Sequence, residues 1–225
     1  MQKVYFFILF SIISIISLAS RDKEIDNNKF SKNFKGILEY VEYTPFDTTY
    51  YKVYVSEDKI RVDTYDNIDV KGTINKSLIY NLKDKKVIAL KPSEKIYKTI
   101  NVDSDSEHGV DGCEIILNKN NYKFINGYKC VQYRIKNVNE NTDITYWIPE
   151  EDFPFYYEMV RMKRSMHRVH KYFFMLPNYK VAFPMQTVER SLLREQKSAY
   201  KVIDFEEKIV EETVFEIPKD YILND

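Results

Sequence analysis

The sequence has no excess charge of either sign, with 34 Lys and Arg against 34 Asp and Glu. Nucleic acid is thereby excluded as an expected partner, because binding by counterion release needs a basic footprint. Glycine is scarce, at five residues, and none of it forms a phosphate-cradling loop. There is no Gly-x-Ser-x-Gly elbow and no zinc-protease motif. An active site needs convergent acid, base or nucleophile groups, and no segment announces them. The expectation is a non-enzyme that needs no cofactor. Repeats and low-complexity tracts are also lacking.

Aromatic residues, by contrast, are abundant: they make up 15% of the chain, with 19 Tyr, which together with the few glycines favours β-structure. Lys3, an apolar run from Val4 to about Leu18 and the small residues Ala19 and Ser20 follow the order of a secretory signal peptide. That run is short for a membrane span, which needs roughly 20 apolar residues. The expected organisation is a signal peptide over 1–19, a polar lead-in over 20–33 and a single β-rich domain over 34–225. After cleavage no transmembrane segment is expected, and the protein should be exported, periplasmic or secreted.

From Phe34 to Tyr43 and from Tyr50 to Val55, β-formers dominate. Lys59 to Tyr65 alternates Ile60 and Val62 with Lys59, Arg61 and Asp63, the pattern of a strand with one wet face. Short runs at Leu78–Leu82, Val87–Leu90 and Ile96–Ile100 are separated by polar turns, as in an antiparallel meander. Asn101 to Gly112 is an acidic loop. Strands resume at Cys113–Leu117, Tyr122–Ile125, Tyr128–Lys136 and Ile144–Ile148, with Asn126-Gly127 as a hairpin turn. Three more are expected at Lys180–Arg190, Ala199–Glu207 and Val214–Tyr221. The fold class is mainly β, a curved antiparallel sheet forming an unclosed barrel.

One stretch departs from this pattern. Phe155, Met159, Met162, Met166, Val169, Phe173 and Leu176 recur in steps of three and four, which stacks them on one helical face. The spacing predicts one amphipathic helix over about 154–176, packed on the concave face of the sheet. Asp152 can cap it, Pro154 suits its first turn and Pro177 stops it. Tyr172, Phe173 and Phe174 are poor helix formers, so the last turns could instead be extended. Arg161, Arg164, Arg168 and Lys171 fall on the far side and form a candidate interaction surface for an envelope protein or a membrane. The apolar stripe, from Phe155, Met159 and Met162 through Met166 to Val169 and Phe173, is the candidate ligand-binding face, since methionine adapts to irregular apolar shapes. The same stripe also suits plain core.

Cys113 and Cys130 are the two cysteines, and an exported chain meets an oxidising compartment. A disulfide between them is expected and would contribute roughly 3 kcal/mol; the alternative is two buried thiols. Asp103, Asp105, Glu107, Asp111 and Glu114 are spaced like calcium-loop ligands, but His108 stands where the sixth-position glycine is needed, so they read as a solvated loop. His167 and His170 lie one turn apart without a third ligand and read as surface histidines. No metal site is expected.

Gly127-Tyr128-Lys129-Cys130, Val131-Gln132-Tyr133 and the strand from Thr142 to Glu150 resemble the middle of a family of uncharacterised exported bacterial proteins. Phe183-Pro184-Met185, then Lys201 to Val210 and Phe215-Glu216-Ile217-Pro218, resemble its C-terminal strands. The resemblance spans roughly 34–221, and that family is similar to the periplasmic lipoprotein carriers of the LolA type. It implies an unclosed β-barrel covered by helices, with a concave apolar face able to hold a lipid or acyl chain. No catalytic residues come with it, and this chain offers one lid helix where the carriers have several.

Overall fold

The computed structural model describes residues 34–65, 73–102, 110–162 and 168–224. The expected signal peptide and lead-in, most of the acidic loop, and Arg164, Met166 and His167 lie outside the described residues.

Among the described residues twelve strands form one curved sheet: β1 Gly36–Tyr43, β2 Thr48–Val55, β3 Lys59–Tyr65, β4 Lys76–Asn81, β5 Lys86–Lys91, β6 Ile96–Asn101, β7 Cys113–Ile125, β8 Tyr128–Asn137, β9 Thr142–Pro149, β10 Gln186–Arg190, β11 Gln196–Glu207 and β12 Ile222–Leu223. Their order is β12-β6-β5-β4-β3-β2-β1-β11-β10-β9-β8-β7, two meanders joined where β1 meets β11. The sheet stays open, with β7 at one edge and β12 at the other. The pairing is antiparallel except for the short β12, which runs parallel to β6.

At the seam the two backbones approach closely. A Cβ on Gly36 would stand 2.1 Å from the Glu206 carbonyl oxygen and 2.7 Å from the Phe34 ring, so glycine is needed there. The Asn126-Gly127 hairpin forms as expected, with both residues at positive φ (49° and 81°), the twist that suits a two-residue turn.

Several expectations need correction. Cys113–Leu117 and Tyr122–Ile125 belong to one strand, β7, broken by a bulge between Asn118 and Tyr122 that leaves Lys119 to Asn121 without partners in the ladder. The stretch from Lys180 is turn and then irregular chain until Gln186, and 214–221 is the end of a 3-10 turn (Glu212–Phe215) followed by irregular chain. The single helix is two: α1 Phe155–Arg161 and α2 Arg168–Phe173. Pro154, not Asp152, is the N-cap of α1, and it carries no side-chain cap bond. After Phe173 the chain turns through 174–181, consistent with the poor helix propensity of its aromatics.

Both helices are inserted between β9 and β10 and lie over the concave face. The Tyr146 hydroxyl on β9 donates to the Val169 carbonyl of α2 at 2.7 Å and ties roof to sheet. One end of the concave space is filled by Phe34, Phe153, Phe155, Phe183 and Phe205, whose ring centroids lie 4.3–6.2 Å apart. On the convex face, Phe215 and its neighbours pack against Ile79 and Leu90. There Arg61 donates to the Val214 carbonyl at 2.8 Å and pairs with the buried Asp63 at 2.8 Å.

Candidate functional site

A cavity of about 450 Å³ lies between the first meander and the helices. Its lining follows from strand alternation, because residues two apart share a face. Across β4, β3, β2 and β1 the paired residues run in rows. Tyr80 lines the cavity deepest, paired along its row with Ile60 and Val55 of the core; next come Leu78 and Val62, in the row of the core residues Val53 and Leu38; nearest the mouth are Lys76, Thr64, Tyr51 and Tyr40. The gradient is apolar within and polar at the rim. Val87 and Ile100 extend the floor onto β5 and β6, while Tyr156, Met159 and Met162 of α1 and Val169 and His170 of α2 close it from above.

At the mouth Tyr40 stacks on Tyr51 with centroids 4.4 Å apart and meets Tyr200 at 4.5 Å. The Tyr51 hydroxyl donates to Glu42 Oε2 at 3.0 Å. Burial pushes the Tyr40, Tyr200 and Tyr156 phenols well above the ordinary range. Burial also raises Tyr51, with the Glu42 carboxylate adding to the effect. These phenols stay neutral at ordinary pH. Glu42 and Val169 also line a second, polar hollow of about 320 Å³, bounded by Arg168, Glu189 and Lys197.

Of the expected ligand-facing residues, Met159, Met162 and Val169 line the cavity. Phe155 and Phe173 are buried in the core beside it rather than in its wall. Strand alternation on β1–β6, in principle, carries the signal for the floor residues. The row to which each belongs depends on the strand register, which is not readable from the sequence.

Each described residue of the expected basic surface is paired with a carboxylate. Arg161 bonds Glu158 at 2.6 Å and its side chain is only 17% exposed, so it is packed rather than presented. Arg168 lies 3.8 Å from Glu140 and 3.6 Å from Glu189, and Lys171 bonds Glu140 at 3.3 Å. Facing carboxylates thus offset the charge of these cations.

The expected disulfide is overturned: both cysteines are free. Cys113 faces Asn137 across the hairpin and Cys130 faces Lys123. Seven residues of β8 separate those levels, about 23 Å at roughly 3.3 Å per residue, against the ~7 Å limit between Cα atoms of a bond. Cys130 is fully buried, and desolvation pushes its thiol up to about 12. Among the described residues no group of three or more His, Cys, Asp or Glu could hold a metal ion.

No curated protein matches the chain in sequence. In fold it is similar to an uncharacterised conserved protein from Thermus thermophilus, at a TM-score of 0.50 and 10% identity over 87% of this chain and 94% of that one. It is also similar to a chain of the Pseudomonas aeruginosa MucA/MucB complex, at a TM-score of 0.50 and 7% identity. That match covers 82% of this chain and little more than half, 56%, of the other. The family model described as "Domain of unknown function (DUF4412)" matches residues 34–221, and the chain belongs to that family.

Proposed function

We propose that this protein is a non-enzymatic, exported component of the cell envelope that holds an apolar ligand, a lipid or acyl chain, between its curved sheet and the helices. The observation that carries the reading is the 450 Å³ cavity, whose floor is Val62, Leu78 and Val87 and whose roof is Met159 and Met162. That volume lies within the roughly 300–1,000 Å³ of small-molecule sites. Apolar surface in such a space gains by being covered, about 25 cal/mol per Å² removed from water. The stretch from Lys3 to Ser20 supports export. Among the described residues no helix is long and apolar enough to cross a membrane.

A second reading is a protein-docking module, supported by the likeness to a chain found in a two-protein complex. The ion pairs of Arg161, Arg168 and Lys171 disfavour their basic face as the dock. The test is mass spectrometry of organic extracts of protein purified without detergent. A stoichiometric lipid or fatty acyl species is expected, and Leu78→Trp, which fills the cavity, should remove it while the fold persists. Protein that carries no lipid, and takes up none when it is offered, would sink the reading.

A further inference from the structure

The cavity does not end at the mouth row. Lys76 also lines a hollow of about 270 Å³ that continues along β5 and β6. Val87, Ala89 and Lys91 alternate along β5, and Ile96, Lys98 and Ile100 along β6. Val87 pairs with Ile100, Ala89 with Lys98 and Lys91 with Ile96. Since Val87 and Ile100 face the cavity, Ala89, Lys91, Ile96 and Lys98 share their face. An apolar track therefore leads out from under α1, and the charged residues lining its end are Lys76, Lys91 and Lys98. Lys91 is bonded to Glu94, the carboxylate nearest this group among the described residues. Glu42 stands across the mouth, engaged by Tyr51.

We propose that the ligand is a single-chain anionic amphiphile, with its chain in the cavity and its negatively charged head among Lys76, Lys91 and Lys98. This rests on the apolar-ligand reading and names the ligand's class. Lysine suits the task, because its stem covers the apolar edge while the ammonium reaches water and a carboxylate or phosphate. Three ammonium groups against one carboxylate attract an anion and repel a cationic head. A neutral head would gain nothing from them. Exposed charges act through a high dielectric, so the preference must weaken as salt is added.

Three probes of equal chain length separate the possibilities: hexadecanoate, hexadecanol and hexadecyltrimethylammonium, each titrated below micelle formation into delipidated protein. Hexadecanoate should bind at least tenfold tighter than hexadecanol at low salt, and the cation weakest. K76Q/K91Q/K98Q should erase the advantage of the acid over hexadecanol and leave the melting temperature unchanged, since all three side chains are at the surface. Equal binding of acid and alcohol, an advantage that survives the triple variant, or preference for the cation would each overturn the lysine assignment while the cavity reading stands. If no probe binds, both readings fall.

Discussion

Cys130 sits where a thiolate is disfavoured, fully buried beside the Tyr128 carbonyl, 3.6 Å from its sulfur. Cys113 is half-buried at the edge of the sheet. Thiol reagents attack the thiolate, so Cys113 should label in native protein within minutes at pH 8, and Cys130 only after denaturation. Counting labels by intact mass before and after unfolding checks this; protein that labels at neither site when unfolded and unreduced would restore the disulfide. The tyrosines make a second residue-level case. Tyr40, Tyr156 and Tyr200 are raised in the folded state, so above pH ~10 the unfolded chain releases protons that the native chain retains. The unfolded state then binds fewer protons, and stability must fall as pH rises. Their contribution is fully present below pH ~10 and is lost above it. The 295 nm absorbance of these phenols should rise together with loss of circular dichroism, not before it.

At the scale of elements, the helical stripe was readable because one short segment carries its own period. Met159, Met162 and Val169 reach the cavity as that period implies. The break into α1 and α2 was not readable from that period, since an apolar repeat states which face is buried and not whether the backbone continues. Strands were legible by alternation, and the Asn126-Gly127 turn by its need for positive φ. The cysteine pairing was legible and goes against the expectation. The two-residue turn at 126–127 sets Cys130 against Lys123, which places Cys113 far along the hairpin from it whether or not the later bulge shifts Cys113 to Asn137. The cavity floor draws on six strands, and no local pattern joins them. The roof yields a direct test: Met159→Ala with Met162→Ala. Both side chains are buried, at 3% exposure, yet each borders open space. Deleting such volume in a filled core costs roughly 2–5 kcal/mol per site. Here the pair should cost less than about 2 kcal/mol in urea titration, because part of what surrounds them is already empty. A larger loss would make the helix ordinary core.

In the whole molecule, the cavity joins parts that the chain keeps far apart. Its floor is β1 to β6, its roof is inserted between β9 and β10, and Thr187 and Tyr200 bring β10 and β11 to its mouth. A ligand held there binds only the assembled fold, so it must stabilise the fold as a unit. At a free concentration of 100 times Kd the gain is about 2.7 kcal/mol. For a chain of this size each kcal/mol raises Tm by about 2–4 °C. Delipidated protein reloaded with hexadecanoate should therefore melt roughly 5–10 °C higher than the empty form, by circular dichroism. Two variants place the effect. Leu78→Trp fills the floor and should abolish the shift. Phe215→Ala acts on the opposite face, where that ring is 5% exposed against Ile79 and Leu90. It should lower Tm in both forms, by up to about 3–5 kcal/mol of lost packing, while the ligand-induced shift stays the same. A shift that survives Leu78→Trp but vanishes with Phe215→Ala would move the ligand to the convex face.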